Sequence, residues 1–105
     1  MISALILTYQ EESNIENCLR ALSWCDDILV LDSFSTDRTT EIARDHGARI
    51  IQRPFDNFAN QRNFGLDRGD FRYPWILHLD ADEIVGDDLR NEILGRLPTS
   101  TERAF

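Results

Sequence analysis

The chain has 105 residues, and eleven arginines with no lysine stand against nineteen acidic residues, for a net charge of −8. That length suits one small domain or part of a larger one. The acidic balance excludes a general nucleic-acid surface, which needs a basic stripe to neutralise phosphates, although one nucleotide held by a few groups stays compatible with it.

Met1 to Leu7 lacks a basic n-region and runs straight into polar Thr8 to Asn14, so it reads as neither a signal peptide nor a spanning helix. Ala4 to Leu7 is the first of four short apolar runs, each expected to be a strand. Ser13 with Glu16 resembles a capping box, and Ile15, Cys18, Leu19 and Leu22 follow at helical spacing. Cys18 falls on that apolar face as core packing. With Cys25 it makes too few and too widely spaced thiols for a disulfide framework or a zinc site, which fits a reducing cytoplasm.

Ile28 to Leu31 is the second run, and Asp37 can cap a helix through Ile42 and Ala43 that Gly47 ends. His46 lies near that end, where an imidazole is favourable. The third run, Ala48 to Ile51, precedes a helix over roughly 57–67 whose stripe of Phe58, Ala59, Arg62 and Leu66 puts Arg62 on the packing face. An inward guanidinium needs an anionic partner. Position alone leaves two choices, a buried ion pair with Asp32 or Asp80 and a clamp on a substrate phosphate.

The fourth run, Trp75 to Leu79, stops at Asp80, Asp82 and Glu83. Side chains two apart on an extended chain point the same way, so Asp80 and Asp82 share a face. Two like charges there call for a cation or a donor-rich ligand, and oxygen-only ligands favour Mg²⁺ or Mn²⁺ shared with a substrate phosphate. His78 alternates with Leu77 and Leu79 and is expected to be a satisfied core imidazole. Gly86 to Leu97 reads as a last helix with Leu89, Ile93, Leu94 and Leu97 inward and Pro98 as its stop. Asp87 and Asp88 belong to its first turn, where acids are favoured. The aromatics Trp24, Phe34, Phe55, Phe58, Phe64, Tyr73 and Trp75 are assigned to packing rather than to sugar platforms.

Alternating strands and helices imply a mainly parallel sheet with helices on both faces. Such sheets bind ligands beyond the carboxyl ends of their strands. The polar groups after three runs, Thr8 to Glu12, Asp32 to Asp37 and Asp80 to Glu83, are therefore expected to meet in one crevice. No Gly-x-Gly-x-x-Gly or Walker loop is present, which disfavours dinucleotide and P-loop enzymes. Ser33 and Ser35 have no visible histidine base for a serine nucleophile. A phosphatase with Asp80 as nucleophile lacks its lysine, and a sugar nucleotidyltransferase lacks a glycine- and basic-rich first loop.

Four blocks in order resemble family 2 glycosyltransferases of GT-A fold: 7–12 (Leu-Thr-Tyr-Gln-Glu-Glu), 30–37 (Val-Leu-Asp-Ser-Phe-Ser-Thr-Asp), 61–63 (Gln-Arg-Asn) and 79–83 (Leu-Asp-Ala-Asp-Glu). The stretch 52–63 is similar to a bacterial subgroup active on lipopolysaccharide core sugars. The resemblance covers residues 1–105 and implies a truncated Rossmann-like three-layer α/β/α fold, the N-terminal nucleotide-sugar-binding portion without the acceptor half. It implies that Thr8, Tyr9 and Glu11 line the base and ribose side, that Asp32 accepts hydrogen bonds from the base, and that Arg62 contacts the nucleotide. Asp80 would face the ribose or a metal-bound water, Asp82 would bind the divalent metal (Mg or Mn), and Glu83 would stand behind them. Gln10 occupies a position where Asn is usual in the family.

The implied activity is inverting transfer of a sugar, from a UDP-sugar by preference, to a hydroxyl on a glycan or lipid-linked acceptor, in lipopolysaccharide or cell-envelope synthesis. The general base would lie in the later acceptor-binding part, so no catalytic residue is assigned in this chain. The implied location is cytoplasmic, at the inner face of the membrane, with peripheral membrane contact open. An uncovered sheet edge invites self-association. The alternative is a non-catalytic nucleotide-sugar-binding or interaction module.

Overall fold

The computed structural model describes residues 2–96. Four strands alternate with four helices: β1 (Ser3–Thr8), α1 (Ile15–Arg20), β2 (Asp27–Asp32), α2 (Thr39–Asp45), β3 (Arg49–Gln52), α3 (Phe58–Arg68), β4 (Ile76–Asp80) and α4 (Asp87–Arg96). All four apolar runs became strands of one parallel sheet in the order β3-β2-β1-β4. Register pairs Thr8 with Asp32 and Leu7 with Asp80, so the polar ends of β1, β2 and β4 finish level with one another.

The sheet is covered on both faces because its side chains alternate. Ala4, Ile6 and Val30 pack with Ile15, Cys18, Leu22, Ala43 and Ile93 on the side of α1, α2 and α4. Leu5, Leu7, Leu29 and Leu31 pack on the other side with Phe64 and Phe71. Gly65 lets α3 approach this second face, since a Cβ there would stand 2.8 Å from Leu5 Cδ2. The order reverses at β1: the chain steps outward to β3, then returns across the opposite face through α3 to β4. A crevice opens at such a reversal.

Several local expectations need correction. The capping box does not form. Asn14 is the N-cap of α1 and its side chain makes no capping bond, while Glu16 pairs with Arg20 and His46. Asp37 does serve the start of α2, accepting the Thr39 N–H at 3.0 Å, and Gly47 ends that helix at φ 85°. The inward face of α3 carries Gln61 and Gly65, and Arg62 is exposed. His78 is exposed too, on a strand that is at the sheet edge among the described residues. In α4, Ile93 is buried but Leu89 and Leu94 are exposed. Leu97 and Pro98 lie outside the described residues. Trp75 is buried and Trp24, Phe64 and Tyr73 are half-buried, whereas Phe34, Phe55 and Phe58 are exposed.

Candidate functional site

The loops after β1 and β2 are laced together. Gln10 sits at φ 53°, a left-handed conformation unusual for a residue with a Cβ. Four contacts hold it there. Its N–H donates to Ser35 Oγ at 2.8 Å, and its Oε1 accepts from Thr36 N at 2.6 Å, Thr36 Oγ1 at 3.3 Å and Asp37 N at 3.4 Å. Glu11 N donates to Thr39 Oγ1 at 2.9 Å, and Glu12 N to Asp37 Oδ2 at 3.2 Å. The longer amide of glutamine thus spans the gap to the second loop.

Asp32 lies beneath this lacing, fully buried. Oδ1 accepts from Thr8 Oγ1 at 2.7 Å and Ser35 Oγ at 2.6 Å, and Oδ2 from Ser35 N at 2.8 Å and Gln52 Nε2 at 3.2 Å. Four donors fill the usual acceptor capacity of a carboxylate. The expected hydrogen bond from a base therefore meets an occupied group, and Asp32 shapes the pocket by holding Thr8 and the Ser35 loop.

A cleft of about 530 Å³ opens above these loops. Thr8, Tyr9, Glu11, Asp80 and Asp82 line it, together with Leu7, Ser33, Phe55, Phe58 and Gln61. Five of the seven residues expected at the site are thus in one place; Asp32 and Arg62 do not line it. β4 ends at Asp80 and Asp82 lies in the following turn, yet both residues line the cleft. Glu83 braces that turn: its Oε1 accepts the Asp80 N–H at 2.8 Å, and its own N–H donates to Asp80 O at 3.0 Å.

Among the described residues no salt bridge engages Asp80, Asp82 or Arg62. Burial pushes the Cys18 thiol up to about 11, and the charges of Glu83, Asp82 and Glu11 push it the same way. Acids from two loops therefore act on one spot, and Cys18 is an inert core thiol. His78 is lowered by partial burial first, with Asp80 and Glu83 raising it and Arg62 lowering it.

No group of three or more His, Cys, Asp or Glu among the described residues is arranged to hold a metal ion by itself. Asp80 and Asp82 fit a different arrangement. A hard divalent ion is commonly held by one or two carboxylates and completed by substrate phosphate and water. Two cleft-lining aspartates, neither in a salt bridge among the described residues, provide that donor set.

Sequence reasoning missed Phe55, Phe58, Ser33 and Gln61 as lining residues. The usable signal was Gly65. A glycine kept inside a helix has a packing reason, and Gln61, four residues before it, lies on the same face.

A parallel sheet with a polar crevice at its strand-order reversal defines a ligand-binding α/β domain. The chain belongs to glycosyltransferase family 2, whose sequence model, "Glycosyl transferase family 2", matches residues 3–99. An uncharacterised glycosyltransferase of Rickettsia bellii is 36% identical over 95 residues, covering 88% of this chain and 31% of that protein. The lipopolysaccharide core biosynthesis glycosyltransferase LpsC of Rhizobium meliloti is 30% identical, covering 96% of this chain and 38% of the relative. The chain thus spans about a third of the length of these curated relatives. Among solved structures, the glucosyl-3-phosphoglycerate synthase of Mycobacterium tuberculosis in complex with Mn²⁺, UDP and glucosyl-3-phosphoglycerate superposes with a TM-score of 0.58 at 28% identity, covering 77% of this chain and 33% of that one. No helix among the described residues is long and apolar enough to cross a membrane.

Proposed function

We propose that this chain is the donor-binding part of an inverting glycosyltransferase that takes a nucleoside-diphosphate sugar, a UDP-sugar by preference, through a divalent cation. One observation carries the proposal: Asp80 and Asp82 share a crevice with Thr8, Tyr9 and Glu11, and among the described residues no salt bridge engages either aspartate. The solved relative with Mn²⁺ and UDP supports the same chemistry.

In this assignment Asp82 and Asp80 hold the cation, and Thr8, Tyr9 and Glu11 line the base and ribose side. Asp32 acts indirectly, through the Thr8 hydroxyl and the Ser35 loop. Arg62, exposed on α3 and in no salt bridge among the described residues, would contact the diphosphate. A bound divalent cation would stabilise the charge that grows on the departing nucleoside diphosphate. Arg62 adds positive charge to the same oxygens, and the laced loops keep Thr8 and Glu11 in place while it develops. Attack by an acceptor hydroxyl from the opposite face inverts the anomeric centre and needs a general base, which is assigned to none of the residues named here.

The similarity to LpsC supports an acceptor in lipopolysaccharide core synthesis; other envelope glycans as acceptors and work on the cytoplasmic side of the membrane are part of the same proposal. Calorimetric titration of UDP with and without Mn²⁺ tests the core of the proposal. Metal should tighten UDP binding by at least about tenfold. UDP affinity indifferent to metal would overturn it.

A further inference from the structure

Phe55 and Phe58 are 48% and 69% exposed, and neither belongs to a core cluster. Their rings meet edge to face with centroids 5.0 Å apart, and both line the cleft. Large apolar side chains left in water gain by being covered.

The loop that presents them is fixed from within. The Arg53 guanidinium forks onto Asp56, with Nη1 to Oδ1 at 3.0 Å and Nη2 to Oδ2 at 3.3 Å. Asp56 also accepts from Asn57 N at 2.7 Å and Asn60 Nδ2 at 2.9 Å, and these contacts hold its carboxyl well below the usual range. Asn57 caps α3 by accepting Asn60 N at 2.8 Å. Gln61, 1% exposed, accepts from Arg53 Nη1 at 2.7 Å and donates to Ser33 Oγ at 3.2 Å, which ties the loop to the end of β2. A pre-ordered surface binds flat ligands without a large ordering cost.

Strand order then says which part of a ligand arrives there. Asp80 and Asp82 follow β4 at one edge of the sheet, and Phe55 follows β3 at the other. The two edges are three strand spacings apart, about 14 Å. A nucleotide whose diphosphate lies at Asp80 and Asp82 directs its base toward β3.

We propose that Phe55 and Phe58 form the apolar wall against which the nucleobase of the donor stacks, at the far end of the cleft from its diphosphate. The proposal rests on the donor-binding function above. Neither ring has a polar atom, so the wall supplies affinity for a base without choosing among bases.

The test is calorimetry on the full chain with UMP, UDP, and inorganic pyrophosphate plus Mn²⁺. Phe58→Ala should weaken UMP and UDP by the same factor, about tenfold for a lost stacking partner, and leave pyrophosphate unchanged. Phe58→Tyr should bind like the wild type. Phe58 is largely exposed, so neither change threatens the fold. UMP affinity unaffected by Phe58→Ala overturns the wall, as does a fall in pyrophosphate affinity parallel to that of UMP. The two proposals fail separately. Loss of UMP binding in Phe58→Ala with no Mn²⁺ effect on UDP would leave the wall standing and remove the metal site, and the reverse pattern would do the opposite.

Discussion

The two ends of the sheet use aspartate in opposite ways. At the N-terminal end Asp27 is buried and enclosed by donors: Ser3 Oγ at 2.6 Å, Arg72 N at 2.7 Å and Arg49 Nη2 at 3.1 Å. Burial pushes its pKa up, but Ser3, Arg72 and Arg49 together pull it below the ordinary 3.8. At the C-terminal end Asp80 and Asp82 are exposed to the cleft, with no cation bridged to either among the described residues. Asp32 shows that position alone does not decide. It stands at a C-terminal strand end, yet four donors close it. What separates a structural carboxylate from a ligand-binding one here is whether the fold itself supplies the donors.

Substitutions that exchange these roles should sort cleanly. Asp27→Ala should cost about 3 kcal/mol in denaturant unfolding, because it strips a buried acceptor from Arg49, Ser3 and Arg72, while UDP affinity stays unchanged. The acid limb of the same experiment carries a sign. A carboxylate with a lowered folded pKa stabilises the protein fully above its unfolded value and loses that contribution as pH falls through the folded one. Wild-type stability should therefore drop below about pH 4 more steeply than that of Asp27→Asn.

At the other end, Asp82→Asn should leave the unfolding midpoint in place. It should remove the Mn²⁺-dependent part of UDP binding and lower donor turnover by the assembled enzyme on the order of a hundredfold. If Asp82→Asn destabilised the chain as much as Asp27→Ala, the contrast between the two ends would fail. Arg62→Ala should give the smallest effect, about a fivefold loss of UDP affinity for an exposed cation, with uridine unaffected. Equal loss for uridine would move Arg62 away from the phosphates.

The strands were legible because a continuous apolar run bounded by polar residues has few other readings, and the crevice followed from where strands in parallel sheets end. The place of Asp80 followed for the same reason, since a strand end fixes where a side chain finishes; Asp82 lies past the strand in a turn, where alternation no longer applies, and lines the same cleft. The rest depends on neighbours distant in sequence. Alternation in β4 looks the same whether or not a helix covers both faces, so His78 was misplaced. The face of α3 was misjudged because Gln61 is polar, and its burial depends on Ser33 and Arg53. Asp32 looked available because its donors come from Thr8, Ser35 and Gln52, in three separate segments. Phe55 and Phe58 were assigned to packing on residue type, and only the locked loop after β3 and the start of α3 show them lining the cleft.

The central claim is that metal and nucleotide share one site built on Asp80 and Asp82, and shared sites show reciprocal coupling. Melting the chain in buffer, with Mn²⁺, with UDP, and with both measures that coupling directly. The two ligands together should raise the midpoint by clearly more than the sum of their separate shifts. Shifts that merely add would mean that the aspartates do not join a cation to the nucleotide.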